Sequence, residues 1–294
     1  MTNWTLGVIG GSGLYDIDGL VEARWETIES PFGAPSDQLF RGRFAGIELV
    51  FLPRHARGHR IGPSQLNYRA NIDVMKRAGV TDILSLSAVG SLREDYKPGD
   101  FVLVDQFIDR TFAREKSFFG DGLVAHVSMA HPVCERLGSL AADAAIKAGV
   151  TVHRGGTYLA MEGPQFSSLA ESRLYRQWGC DVIGMTNMPE AKLAREAEIP
   201  YATLAMVTDY DCWREDSDAV SVTNVLEVLH ANAHAGRDTV RNLASHLGQT
   251  ARTPSPQGIE TCLDFALITS PDARDPALLA KLDAVAGRAL SVSP

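Results

Sequence analysis

Short apolar runs alternate with stretches of helical period along most of this chain, and that alternation restricts it to an α/β architecture with a mainly parallel or mixed sheet. Runs at residues 6–9, 49–52, 83–86, 101–104, 182–183 and 201–207 read as strands. Helical periodicity covers residues 65–78 and 132–148, followed by Gly79 and Gly149, where a left-handed residue commonly ends a helix. Ser168 and Glu171 have capping-box spacing ahead of a helix that runs to about Trp178. Pro189 suits the first turn of another, through about Ala197. A long amphipathic helix follows Ser221, with Val222, Val225, Leu226 and Leu229 on one face. The pattern predicts one domain over residues 1–250. From Thr250 to Gly258 the chain turns rich in Thr, Ser, Pro and Gly, which reads as a linker. The tail, 251–294, then carries one strand and an Ala/Leu helix near 276–290, packed on the domain.

Composition narrows the function. Lys and Arg number 28 against 36 Asp and Glu, a net charge of -8, so a basic nucleic-acid footprint is not expected. A local positive pocket for a small anion stays compatible with that balance. The first residues lack a basic stretch followed by a long apolar one, so no signal peptide is expected. No apolar run nears the roughly 20 residues that span a bilayer. Cys134, Cys180, Cys212 and Cys262 form no Cys-x-x-Cys pair, which favours reduced thiols in the cytoplasm over disulfides or a zinc site. No metal cluster or organic-cofactor motif is visible.

The chemistry sits at strand ends. Gly10-Gly11-Ser12-Gly13 can turn backbone N–H groups inward around an anion, and the Ser12 hydroxyl adds a donor. It is not a dinucleotide fingerprint, because counting from Gly11 the sixth position is Asp16. Arg54 and His55 directly follow a strand, where a guanidinium can take an anion through two prongs. Ser87 and Ala88 end another apolar run in a loop of small residues. Thr186 lies between a strand and a helix, placed to bind an anion or to cap the helix. Each alone is an ordinary turn; together they point to an anion held by several loops. A fifth strand end carries Asp209 and Asp211. In an extended chain residues i and i+2 share a side, so the pair can face one ligand, and a heterocycle with a ring nitrogen and an amino group suits it.

With these residues in place, the chain resembles the methylthioadenosine phosphorylase branch of the purine nucleoside phosphorylase superfamily. The resemblance runs from Leu6 to about Leu243 and rests on Val8-Ile9-Gly10-Gly11-Ser12-Gly13, Arg54-His55-Ala56-Arg57-Gly58-His59, Gly90-Ser91-Leu92-Arg93-Glu94, Glu162-Gly163-Pro164-Gln165-Phe166-Ser167 and Thr208-Asp209-Tyr210-Asp211-Cys212-Trp213. It implies an α/β domain with a partly closed mixed sheet, and a homotrimer. The implied reaction is phosphorolysis of the glycosidic bond of 5′-methylthioadenosine, with inorganic phosphate as co-substrate and no cofactor. By resemblance, Ser12, Arg54, His55, Ser87, Ala88 and Thr186 hold phosphate. Met185 lies under the ribose, Phe166 and Tyr210 near the base, and Asp209 and Asp211 at its edge. Ser167 and Val222 match positions tied to substrate choice, and His126 a residue lent to a neighbouring site. Ser12 and Ser87 stand where eukaryotic members have threonine, and Gly184 where they have asparagine. The tail beyond about residue 250 lies outside these motifs.

Asp209 is then the expected general acid for the departing purine, its proton favoured by the second carboxylate and by desolvation. Asp211 accepts from the exocyclic amine; an asparagine would be expected opposite a 6-oxo group. The alternatives are a 6-oxopurine or methylthioinosine phosphorylase, a nucleosidase using water, and a non-catalytic nucleoside or phosphate sensor.

Overall fold

The computed structural model describes residues 4–11, 13–214 and 222–291, the side chains of 222–226 excepted. In chain order the strands are β1 (Thr5–Gly10), β2 (Val21–Glu26), β3 (Leu39–Phe44), β4 (Ile47–Pro53), β5 (Asp82–Ser91), β6 (Phe101–Leu103), β7 (Gln106–Asp109), β8 (Val152–Arg154), β9 (Thr157–Ala160), β10 (Val182–Gly184) and β11 (Tyr201–Asp209). The helices are α1 (Tyr68–Arg77), α2 (Glu135–Lys147), α3 (Leu169–Gln177), α4 (Asn187–Glu196), α5 (Val222–Leu247), α6 (Pro276–Lys281) and α7 (Gly287–Ser291). They form a single α/β domain around a mixed 11-stranded sheet. Its order is β2-β3-β4-β1-β5-β10-β9-β7, and β11 branches from β5 towards β6 and β8.

Both faces of the sheet are covered, and alternate residues of the same strand feed opposite cores. Leu204 and Met206 of β11 join Leu137 and Ala141 of α2 and Leu243 of α5. Ala205 and Val207 join Ile72 and Met75 of α1 and Leu193 of α4. Each fully buried aliphatic side chain contributes about 1.5–3 kcal/mol, so a one-residue slip of β11 would be very costly.

Local chemistry sets the helix ends. Ser168 accepts from the Glu171 N–H while Glu171 reaches back to the Ser168 N–H, so the expected capping box forms. Asn67 caps α1 by accepting from the Ala70 N–H, which moves the start of that helix three residues past Gln65.

Several expectations are corrected. Ser87 and Ala88 lie within β5, not in a loop, because β5 continues to Ser91 along β11. The strand β11 stops at Asp209, and Asp211 adopts a positive φ of 52°, so the two aspartates are not alternate residues of an extended chain. The strands β2, β3, β7, β8 and β9 were not evident in the apolar pattern, since most of β2 is exposed and β8 has 3 residues. The tail carries no strand among its described residues, only an isolated bridge between Ala125 and Leu267, and its helix splits into α6 and α7. The stretch read as a linker is pinned: Arg252 pairs with buried Asp82 at 2.6 Å and with Glu260 at 2.9 Å. Beyond it, Leu263, Ala266, Leu282 and Val285 pack into the core that α1 and α4 share.

Candidate active site

A gap in the pairing of β5 opens the site. On one edge β5 pairs with β1 only as far as Ile9↔Ser85, and with β10 only at Val182↔Ser91 and Ile183↔Gly90. Residues 86–89 carry no ladder partner there. Because β1 runs parallel to β5 and β10 antiparallel, their carboxyl ends point at each other across this gap, a switch point of the kind that holds ligands in open sheets. The glycine turn after β1 and the Met185-Thr186 turn after β10 therefore converge on Ser87 and Ala88. Arg54 joins them because β4 lies beside β1, and its N–H donates to the Gly10 carbonyl at 2.9 Å.

The Arg54 guanidinium is buried and heavily used. It donates to both oxygens of Glu190 (2.8 and 3.1 Å), to Ser85 Oγ at 2.6 Å and to the Leu86 and Ile9 carbonyls. Burial opposes its charge and Glu190 more than restores it, so the pKa lies above the ordinary arginine value. This arginine is locked as a fixed positive centre behind the gap, with little of its fork free. His55 Nδ1 lies 2.8 Å from the Ile61 carbonyl, which can only accept, so Nδ1 carries the proton. Burial and the adjacent Arg54 charge push this imidazole down to about 4, leaving a neutral ring whose Nε2 is an acceptor.

The hydroxyls meet at the gap. Ser87 Oγ lies 3.2 Å from Thr186 Oγ1 and 3.4 Å from the Tyr158 phenol. Thr186 stands at the N-cap of α4 yet makes no side-chain cap bond, so its hydroxyl is turned to Ser87 instead. At Gly184 a Cβ would come 2.0 Å from the Tyr158 hydroxyl, and this explains the glycine. Ala88 is exposed on the same stretch of β5, and Ser12 lies outside the described residues.

The opposite pole belongs to the aspartates. Asp209 Oδ1 accepts the Asp211 N–H at 2.7 Å and Oδ2 the Thr208 hydroxyl at 2.7 Å. Asp211, 8% exposed, is bound through Oδ2 by the buried Ser172 hydroxyl of α3 at 2.5 Å. The two carboxylates crowd Gly90, where a Cβ would lie 3.1 Å from Asp209 Oδ1 and 3.4 Å from Asp211 Cβ. The turn therefore brings together what an extended chain was expected to. Burial, helped by Asp209, raises the Asp211 carboxyl against the pull of Ser172.

Met185 is half-buried against Gly163, whose Cβ would meet its sulfur at 2.5 Å. Ser167 Oγ contacts Met161 Sδ at 3.8 Å, and the Ser167 carbonyl accepts from the Cys212 thiol. Tyr210 packs edge-on against Trp213, whose indole N–H donates to the Ser91 carbonyl. Phe166 stands 82% exposed. His126 is exposed on a segment hydrogen-bonded to the tail, its N–H donating to the Ala266 carbonyl at 2.9 Å. Val222 opens α5, but its side chain, like those of Val225 and Leu226, lies outside the described residues.

Sequence reasoning missed the residues that hold these groups. Glu190, Tyr158 and Ser172 surround the site, and Arg114 donates to the Met185, Met188 and Glu162 carbonyls at 2.5, 2.7 and 2.7 Å, tying two site loops together. A signal existed for Glu190, a carboxylate in the first turn after Pro189. Its partner lies 136 positions away, beyond any local pattern.

These features lie on an α/β scaffold of the phosphorylase class, and the chain belongs to the phosphorylase superfamily, whose model matches residues 5–245. Among its relatives is an S-methyl-5'-thioadenosine phosphorylase of Rhodospirillum rubrum, 64% identical over 285 residues and covering 97% of each chain. That similarity extends into the tail. A crystal structure of a methylthioadenosine phosphorylase from an Antarctic soil metagenomic library matches with a TM-score of 0.91 at 44% identity, over 97% of this chain and 99% of that one. A Schistosoma mansoni adenosine/methylthioadenosine phosphorylase variant, solved with methylthioadenosine, matches with a TM-score of 0.77 at 38% identity, over 85% and 93% of the chains.

Proposed function

We propose that this protein cleaves the N-glycosidic bond of 5′-methylthioadenosine with inorganic phosphate, giving adenine and 5-methylthioribose 1-phosphate. The observation that carries this reading is the two-pole site around β5. A hydroxyl-lined gap backed by buried Arg54 lies towards β1 and β10, and two carboxylates gather at Gly90. Phosphate binds in the gap through Ser87, Thr186, Ala88, Ser12 and the glycine turn, with Arg54 supplying fixed positive charge. Neutral His55 offers an acceptor to the P–O–H of hydrogen phosphate. As the C1′–N9 bond breaks, positive charge on the ribose faces the dianion, and a phosphate oxygen forms the new bond to C1′. Preorganised donors of this kind each supply about 2.7–4 kcal/mol in measured oxyanion sites. Asp209 delivers a proton to N7 of the leaving base, and Asp211 accepts from the exocyclic amine. Met185 lies beneath the ribose, Phe166 and Tyr210 beside the base, and Ser167 and Val222 shape substrate choice. Phosphate is a co-substrate, and the reaction needs no cofactor.

The protein works as a homotrimer in the cytoplasm, with His126 reaching a neighbouring site. This is supported by the exposure of His126 on a tail-braced segment and of Phe112 and Phe265 at 82% and 98%. No helix among the described residues is long and apolar enough to cross a membrane. The test is a phosphate-dependent absorbance change with 5′-methylthioadenosine. Preference for 5′-methylthioinosine would overturn the adenine assignment, base release without phosphate would make the protein a nucleosidase, and binding without turnover would make it a sensor. Light scattering of the purified protein checks the trimer.

A further inference from the structure

We propose that Ser172 sets the purine preference of the site by holding Asp211 as a hydrogen-bond acceptor. This rests on the reading above and assigns a positioning role to a side chain outside the reacting groups. Ser172 is fully buried in α3, just past the capping box that fixes the start of that helix. Its hydroxyl reaches Asp211 Oδ2 at 2.5 Å. A hydroxyl has one proton to give, and a carboxylate that receives it is favoured in its ionised form.

The surroundings make that donation matter. Burial is the largest influence on Asp211 and favours the protonated form, with Asp209 acting in the same direction whenever it is ionised; Ser172 is the strongest opposing contact, ahead of the Cys212 N–H and the Ser167 hydroxyl. Tyr175, also on α3, and the Cys212 thiol are titratable groups that interact with this carboxyl, and neither supplies a positive charge. Protonated Asp211 would present an O–H to the base, which repels the amine hydrogens of adenine and suits the carbonyl of a 6-oxopurine. Ionised Asp211 does the reverse. Of the groups that keep Asp211 an acceptor, the buried Ser172 hydroxyl is therefore the one on which discrimination between the two purines chiefly depends.

The experiment compares wild type, Ser172→Ala and Ser172→Cys for phosphorolysis of 5′-methylthioadenosine and 5′-methylthioinosine, with kcat/KM measured across pH. Losing a hydrogen bond to a charged group is worth about tenfold or more. Ser172→Ala is expected to lower kcat/KM for the adenine substrate by about that factor, to raise relative use of the inosine substrate, and to move the acid limb of the adenine profile to higher pH by about one unit. Ser172→Cys, nearly isosteric and a weaker donor, is expected to fall between. A merely structural role would lower both substrates alike and leave the limb in place. That result, in whichever variant folds by circular dichroism, overturns the proposal. If wild type cleaves neither nucleoside, the proposed function falls with it, a result visible before any variant is made.

Discussion

The Glu190 carboxylate of α4 grips the guanidinium of Arg54, the residue just past β4, at 2.8 Å to Nε and 3.1 Å to Nη2, with both side chains at or below 3% exposure. Ser85 and Tyr201 complete the carboxylate's contacts at 2.8 and 2.9 Å. Glu190 thus determines where the positive charge behind the β5 gap sits.

Removing one member of a buried pair strands the other charge, at a cost of about 3–5 kcal/mol. Glu190→Ala is therefore expected to lower the urea midpoint strongly. Glu190→Gln turns an amide N–H2 group against the Arg54 fork, so the guanidinium should shift from its place behind the gap and KM for phosphate should rise about tenfold while KM for the nucleoside changes little. Phosphate saturation curves check this; equal changes in both KM values would place Glu190 in general stability alone.

Asp209 is tied to its turn through both oxygens, so replacing it isosterically should preserve the fold. Asp209→Asn is expected to cut kcat by about 10²–10⁴-fold, the usual contribution of a positioned acid, with little change in nucleoside binding. Single-turnover kinetics with 5′-methylthioadenosine separate the two effects. Retention of full kcat would remove Asp209 from proton transfer.

How much of this was legible in the sequence depends on distance along the chain. The α/β class, the helices α1 to α5 and the capping box at Ser168 follow from local spacing and are present in the structure. The aspartate pair was legible as a pair, though for the wrong geometric reason: a left-handed Asp211 and a shared neighbour in Gly90 gather the carboxylates, not alternation along a strand. Ser87 was misplaced in a loop because β5 exchanges β1 for β10 midway, and no local pattern encodes a change of partner. Tyr158 and Ser172 read as ordinary residues of β9 and α3. Their importance comes from what folding sets against them.

Gly184 gives a steric test. A methyl there would meet the Tyr158 hydroxyl at 2.0 Å and the ring carbon beneath it at 2.6 Å. Gly184→Ala must therefore displace the ring from the hydroxyls of Ser87 and Thr186. Overpacking of this kind costs about 1–3 kcal/mol, and KM for phosphate should rise with it. Adding Tyr158→Phe should not restore either, because the ring carbon stays in the way. Rescue by the double variant, read in thermal midpoint and phosphate KM, would show that the hydroxyl alone was the obstacle.

Two buried groups pull the pH dependence of stability in opposite directions. His55 falls from 6.5 to about 4 because burial and Arg54 disfavour its charged form. The unfolded chain then binds the proton more readily, so this stabilisation is present above pH 6.5 and is lost as pH falls towards 4. Glu196 rises from 4.5 to about 7, because burial outweighs the Phe118 N–H and the Ser117 hydroxyl that it accepts. Its stabilisation is complete below pH 4.5 and disappears as pH rises through 7. Between pH 4.5 and 6.5 the two slopes, each at most about 1.4 kcal/mol per pH unit, largely offset one another. Glu196→Gln removes the second alone. The variant should therefore gain stability steeply from pH 4.5 to 6.5, where wild type stays comparatively flat, and should show no decline towards pH 7.5. Urea midpoints across that range decide it, and parallel curves for the two proteins would mean that Glu196 ionises normally in the folded state.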